Sequence, residues 1–221
     1  MSQSRLAACL WRWHPFLATA AADPRSPGWS SPHPEERQAV AKAVAKRRNE
    51  FFCGRTLARR VIVELGGSPG SLPPRADRRL PWPSGVVGSL AHCDDACVVV
   101  ASHAERARAI GVDLEPAGRM GPELAAAILD PRERAEFERC SDPLRWLEAV
   151  FVCKEAFYKA QYTLTETFLD FGDARTTFDA AWPFSQSGFR IEAPRTERGE
   201  WCGRVARIGG HWLALVVVPP G

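Results

Sequence analysis

The sequence predicts an α+β fold built from two similar halves, each with an antiparallel sheet. Three observations predict it. Strand-like and helical stretches come in runs rather than in regular β-α-β alternation, which favours helices segregated from antiparallel strands. VVGSLAH and ACVVVASH flank the turn-prone pair Asp94-Asp95 as the arms of a hairpin would. The order strand, helices, loop and hairpin is followed, beyond Arg108, by strand, helices and strands again. The halves are therefore expected at 1–108 and 109–221, with a functional site between them.

The first half is expected to open on an early strand and an extended loop, because Trp11, Trp13 and Trp29 lie among Pro, Ser and Ala up to Pro32. HPEERQ then starts a helix: Pro34 suits its first turn, and Glu35 and Glu36 complement the positive end of its dipole. Val40, Val44, Phe51, Ala58, Ile62 and Leu65 recur at helical spacing up to Gly66-Gly67, with Gly54 as the expected break between two helices. Pro, Gly and Arg dominate from Ser68 to Gly85, which reads as a surface loop before the hairpin. In the second half AIGVDLEP is a strand. PELAAAIL, DPRERAEFERC and PLRWLEAVFVCKEAFYKAQY are helical, and TTFDA, GFRIEA, WCGRVARI and HWLALVVV are short strands.

With 221 residues, 45% apolar and 25% charged, the composition is that of a soluble globular protein. Its apolar runs fall short of the about 20 residues that cross a bilayer. LAACLW is cut by Arg12 and His14 before it is long enough for a signal peptide. A cytoplasmic monomer without a membrane partner is expected. Seven cysteines with no C-x-x-C pair oppose a disulfide framework and point to reduced, mostly buried thiols. A net charge of +3 gives no nucleic-acid-coating surface. Locally, however, arginines gather in KRRNEFFCGRTLARR (Lys46 to Arg60) and RADRR (Arg75 to Arg79). The planar guanidinium fork suits phosphate, while a solvated helix face is the competing account.

GVDLEP carries Asp113 and Glu115 at i,i+2, which on a strand puts both carboxylates on one face. Two such charges repel and need a cation or a shared proton. A hard ion such as Mg²⁺ with oxygen ligands resolves the repulsion, and an exposed strand end at Pro116 is the alternative. FVCKEAFYK (Phe151 to Lys159) adds Glu155 with Lys159 at i,i+4, and Lys154 about 100° away around a helix. Alone, that is an ordinary surface ion pair. Beside a metal site, it is a third carboxylate with cations for a phosphoryl group. His92 follows a stretch of small residues where backbone can approach a ligand, or it is structural. Cys93, Asp94 and Cys97 lack a fourth zinc ligand, and neither a phosphate-binding P-loop nor a dinucleotide glycine fingerprint is present. A metal-dependent nuclease uses similar carboxylates, but Ala117 stands where its Glu-x-Lys pattern needs a lysine.

The ordered set RRNEFFCGRTLARR, LPWPSGVVGSLAHC, IGVDLEP and FVCKEAFYKA resembles the 4'-phosphopantetheinyl transferase superfamily, in particular the branch typified by the enterobactin-synthase component. The resemblance spans Pro34 to Ala160. It implies a pseudo-twofold fold and transfer of the phosphopantetheine arm of coenzyme A to a serine of an apo acyl or peptidyl carrier protein, with release of adenosine 3',5'-bisphosphate. The resemblance leaves the carrier's pathway open among siderophore, polyketide, nonribosomal-peptide, fatty-acid and lysine assembly. The cofactor implied is Mg²⁺, with Mn²⁺ as the alternative ion. Asp113, Leu114, Glu115 and Glu155 fall at the family's metal site, Glu155 also where the serine proton is removed, and Lys159 where the pyrophosphate is met. Lys154 adds to the same field. His92 matches the phosphate-contacting histidine, and Arg47, Arg55 and Arg75, with Arg78, fall where basic residues hold the 3'-phosphate and adenine end. Two departures stand out. Ala91 replaces a hydroxyl residue that usually contacts coenzyme A, and RADRRLPWP is one residue shorter and more basic than the usual loop, which bears on Arg75, Arg78 and Arg79.

Overall fold

Small side chains shape the first sheet. In the computed structural model, which describes residues 2–77, 79–196 and 198–221, the alanine-rich strand β1 (Ala18–Ala22) pairs antiparallel with β3 (Cys97–His103), which also pairs antiparallel with β2 (Val86–His92). The order is β1-β3-β2. Five successive residues of β3, Cys97 to Ala101, are wholly buried, so both faces of the central strand are covered. One face packs Cys97, Val99 and Ala101 against Cys53, Leu57, Ala58, Val61 and Ile62 of helix α3 (Ala45–Glu64). On the other, Thr19 Oγ1, whose residue pairs with Val100, donates to Ala7 O of helix α1 (Ser2–Trp13).

Two expectations change here. The chain opens on a helix before its first strand: Leu6 and Leu10, one turn apart, are fully buried and anchor α1. The break between the next helices also lies elsewhere. Helix α2 (Pro34–Ala39) ends before Val40, whereas α3 runs unbroken through Gly54, and Val44 is its exposed N-cap. Glu36 does more than complement a dipole. It is fully buried, its Oε1 accepts from Leu72 N (2.6 Å) and Arg59 Nη1 (2.7 Å), and its Oε2 accepts from Ser31 Oγ (2.5 Å). One carboxylate thus fastens the segment before α2 and the loop after α3 to α3 itself.

The chain divides into two compact units, Met1–Ile110 with Val218–Gly221, and Gly111–Val217. Both are α+β with antiparallel pairing, as expected, although their sheets have three and five strands. The larger sheet runs β4-β8-β7-β6-β5, from β4 (Ala109–Pro116), β5 (Arg175–Phe178), β6 (Gln186–Ala193), β7 (Gly199–Ile208) and β8 (His211–Val218). Short helices α4 (Ala125–Ile128) and α5 (Pro131–Arg139) precede the long α6 (Pro143–Thr165). The DPRE start is a full capping box: Asp130 Oδ1 accepts from Glu133 N, and Glu133 Oε2 from Asp130 N. Helix α6 lies on the sheet, where Phe157 meets Trp201 edge-on at 5.2 Å.

Gly111 sets how closely β4 approaches α6. A Cβ there would lie 1.8 Å from Ala156 O and 2.8 Å from Ala160 N, distances no side chain survives without moving backbone. Gly111→Ala is therefore expected to cost about 3 kcal/mol or more, at the upper end of overpacking. Thermal denaturation checks this, and an unchanged melting temperature would contradict the close packing.

Candidate functional site

With β4 pressed on α6, the face of the strand that carries Asp113 meets the helix residues Glu155 and Lys159. Asp113 is buried, and its Oδ1 accepts from Lys159 Nζ at 2.7 Å. The same ammonium donates to Val112 O at 3.0 Å. Asp113 Oδ2 is buried without a hydrogen-bond partner among the described residues. Glu115, half-buried at the strand's end, is pushed up to about 7 by burial and then by the Asp113 carboxylate, with Glu155 adding and Lys159 opposing. Glu155 is also raised, by burial and then by Asp113, against Lys159. Three carboxylates thus crowd one place with a single ammonium, and one buried oxygen has no partner. A metal ion that takes oxygen ligands fits this donor set. Leu114, whose side chain leaves the other face of the strand and is buried, has only main-chain atoms to offer such an ion.

In the first unit, Arg47 and His92 come together: Arg47 Nη1 lies 3.0 Å from His92 Nε2. Glu50, one turn along α3, holds both, with its Oε2 3.3 Å from Arg47 Nη1 and 3.8 Å from His92 Nδ1. Arg55 is buried with its guanidinium 4.1 Å over the Phe51 ring, and its Nε donates to Leu72 O at 2.7 Å. Burial lowers it to about 10. Its terminal nitrogens have no hydrogen-bond partner among the described residues, a state that favours an incoming anion. Arg75 is exposed in the loop, where its N–H donates to Arg79 O (3.1 Å) and Arg79 pairs with Asp77 (2.6 Å). Arg78 lies outside the described residues. Ala91, buried on β2 opposite Val98, offers main chain alone.

Residues 35–102 match the 4'-phosphopantetheinyl transferase N-terminal domain, and 109–216 match the 4'-phosphopantetheinyl transferase superfamily. The 4'-phosphopantetheinyl transferase PptT of Mycobacterium tuberculosis is 40% identical over 67% of this chain and 66% of its own length. Npt of Nocardia iowensis is 37% identical over 71% and 70%. Enterobactin synthase component D of Salmonella typhi is 32% identical over 75% and 71%. The chain belongs to the 4'-phosphopantetheinyl transferase superfamily. The match spans about two thirds of these curated relatives' length.

Within this family frame one expected site residue moves out of the field. Lys154 does not join Lys159 beside Asp113. It is fully buried, and its three hydrogens are spent on Ile128 O (2.8 Å), Phe171 O (2.8 Å) and Glu133 Oε2 (2.6 Å). Burial lowers Lys154 and raises Glu133, each held against that shift by the other. The ammonium pins α6 to the end of α4, the start of α5 and the Phe171 turn. Sequence reasoning missed its partner Glu133, although the D-x-x-E capping box marks it, and missed Glu50, whose i+3 spacing from Arg47 was the available signal. The thiols are free, as expected, but only Cys53, Cys97 and Cys153 are buried.

Two outcomes follow from these charges. Lys154→Met leaves Glu133 buried without its cation and is expected to cost about 3–5 kcal/mol; chemical denaturation with an unchanged midpoint would contradict the pinning role. In metal-free protein, Glu115 titrates at its ordinary 4.5 when unfolded and about 7 when folded, so its contribution to stability is full below pH 4.5 and lost as pH rises through 7. Relative to wild type, metal-free Glu115→Gln should gain stability between those values and hold the gain above them. Denaturation at a series of pH values that gives a constant difference would contradict the crowding.

Proposed function

We propose that this protein transfers the 4'-phosphopantetheine arm of coenzyme A to a serine of an apo acyl or peptidyl carrier protein, releasing adenosine 3',5'-bisphosphate. The carboxylate group of Asp113, Glu115 and Glu155, with a buried oxygen left unpartnered and Lys159 alongside, is the observation that carries this proposal. Asp113 and Glu115, joined by Glu155, would hold Mg²⁺ or Mn²⁺. When bound, the ion neutralises pyrophosphate charge and draws electron density from the phosphorus under attack.

The chain's own residues account for the rest. Glu155, raised by burial and by its neighbour, is suited to take the serine proton as Oγ bonds to the β-phosphorus. The bond between that phosphorus and the bridging oxygen breaks, and adenosine 3',5'-bisphosphate leaves with the electron pair. Lys159 steadies the charge on that leaving phosphate. Arg55, Arg47 and His92 hold the anionic nucleotide end, and Arg75 and Arg78 add positive charge from the loop. The protein would act as a cytoplasmic monomer. Among the described residues no helix is long and apolar enough to cross a membrane. Lys154 enters only as the pin that ties α6 to Ile128, Glu133 and Phe171.

The decisive experiment incubates the protein with coenzyme A, Mg²⁺ and a panel of apo carrier domains and looks by mass spectrometry for the added arm. No addition to any carrier, or cleavage of DNA with no response to coenzyme A, would overturn the proposal. Asp113→Ala and Glu155→Gln are each expected to lower turnover by about 100-fold or more, with the fold intact by circular dichroism. Full activity in either would contradict its role. Arg55→Ala should raise KM for coenzyme A roughly 10- to 100-fold, the worth of a charged hydrogen bond, and an unchanged KM would remove Arg55 from the nucleotide end.

A further inference from the structure

Glu148 is a buried carboxylate that the proposed transfer does not use. It lies on α6 two turns before Glu155 and is 3% exposed. Its Oε1 accepts from three successive main-chain N–H groups, Gly118 (2.6 Å), Arg119 (2.9 Å) and Met120 (3.4 Å). Its Oε2 accepts from Trp212 Nε1 (3.1 Å) on β8. The three N–H groups converge because Gly118 has φ +82°, a left-handed conformation that folds the backbone into an anion-binding nest. The preceding residue is fastened as well, Ala117 N donating to Gly210 O at 2.8 Å. This turn follows the end of β4 at Pro116, and only Pro116 and Ala117 separate it from Glu115. The path of the chain beyond Glu115 is thus fixed from α6, the helix that also carries Glu155 and Lys159.

We propose that Glu148 is a positioning residue for the metal site: by gripping the turn at 118–120 it holds Glu115 on the same face as Asp113 and at a fixed distance from Glu155. This rests on the proposed function in that Glu115 is taken as a metal ligand. Partners that orient a metal's direct ligands commonly set its affinity by about 10- to 100-fold, and Glu148 acts through main chain rather than through a side-chain hydrogen bond to the ligand. Glu115 needs such help. It stands one residue from the end of β4 and is only half-buried, so the main chain that follows it sets where its carboxylate lies.

The test is Mn²⁺ binding to the purified full chain without coenzyme A, followed by calorimetry or by the spin signal of the free ion, alongside thermal melting. Glu148→Gln cannot accept with both ends of its side chain and should bind Mn²⁺ about tenfold or more weakly. Gly118→Ala alters an exposed turn, so the chain still folds, and should weaken Mn²⁺ in the same direction. Gly118→Asn, which tolerates positive φ, should retain most of the affinity. Wild-type Mn²⁺ affinity in both Glu148→Gln and Gly118→Ala overturns the inference, and so does a lowered melting temperature with unchanged Mn²⁺ affinity, which assigns Glu148 to fold stability alone. If the wild-type chain transfers the arm while these variants bind Mn²⁺ normally, only the positioning role fails. A wild-type chain that binds no Mn²⁺ removes the metal site and the inference with it.

Discussion

Mutual repulsion among Asp113, Glu115 and Glu155 is the constraint on which the second unit is built. Like charges this close favour protonation or separation, yet the fold prevents separation. Gly111 allows β4 to lie against the backbone of α6, Lys159 ties Asp113 Oδ1 and Val112 O to the helix, and Glu148 grips the turn that follows. The cost is left on oxygens: among the described residues Asp113 Oδ2 has no partner, and two glutamates are shifted upward by burial and then by the Asp113 carboxylate. A cation bound among these carboxylates would offset the repulsion that adds to their burial.

The charges of α6 divide into two kinds by depth. Lys159 keeps part of its side chain exposed and has one carboxylate and one carbonyl as partners. Lys154, five residues earlier, is sealed in with three acceptors. The same contrast runs through the first unit. Glu36 is sealed beneath Arg59 and Leu72, whereas Arg47 and His92 keep contact with solvent around Glu50. Sealed charges set the positions of helices and loops, and half-exposed ones keep a side open to solvent.

That distinction explains what the sequence made legible. The hairpin around Asp94-Asp95, the strand carrying Asp113 and Glu115 and the helices from Pro122 onward follow from local pattern, and the structure has them. The i,i+2 carboxylates and the i,i+4 pair in FVCKEAFYK named the site because strand and helix periodicity fix which side chains share a face. Burial has no such period. Lys154 reads like Lys159 in the sequence and differs through partners distant along the chain, Glu133 among them, 21 residues away. Helix α1 was missed although Leu6 and Leu10 stand one turn apart, because the tryptophans and the Pro, Ser and Ala that follow read as strand and loop, and β1 is an alanine-rich segment held as a strand by its pairing with β3. Gly54, read as a break, is carried through by the packing of α3 on the sheet.

The central claim is that these crowded carboxylates form a metal site whose charge the ion balances. Isothermal calorimetry of Mg²⁺ or Mn²⁺ binding at pH 7 in buffers of different ionisation enthalpy tests it most directly. With Glu115 near its midpoint at about 7, binding at one site should expel part of a proton. The measured heat should then vary with the buffer, and Asp113→Ala should abolish the binding. No binding, or a heat that is the same in every buffer, would contradict the account.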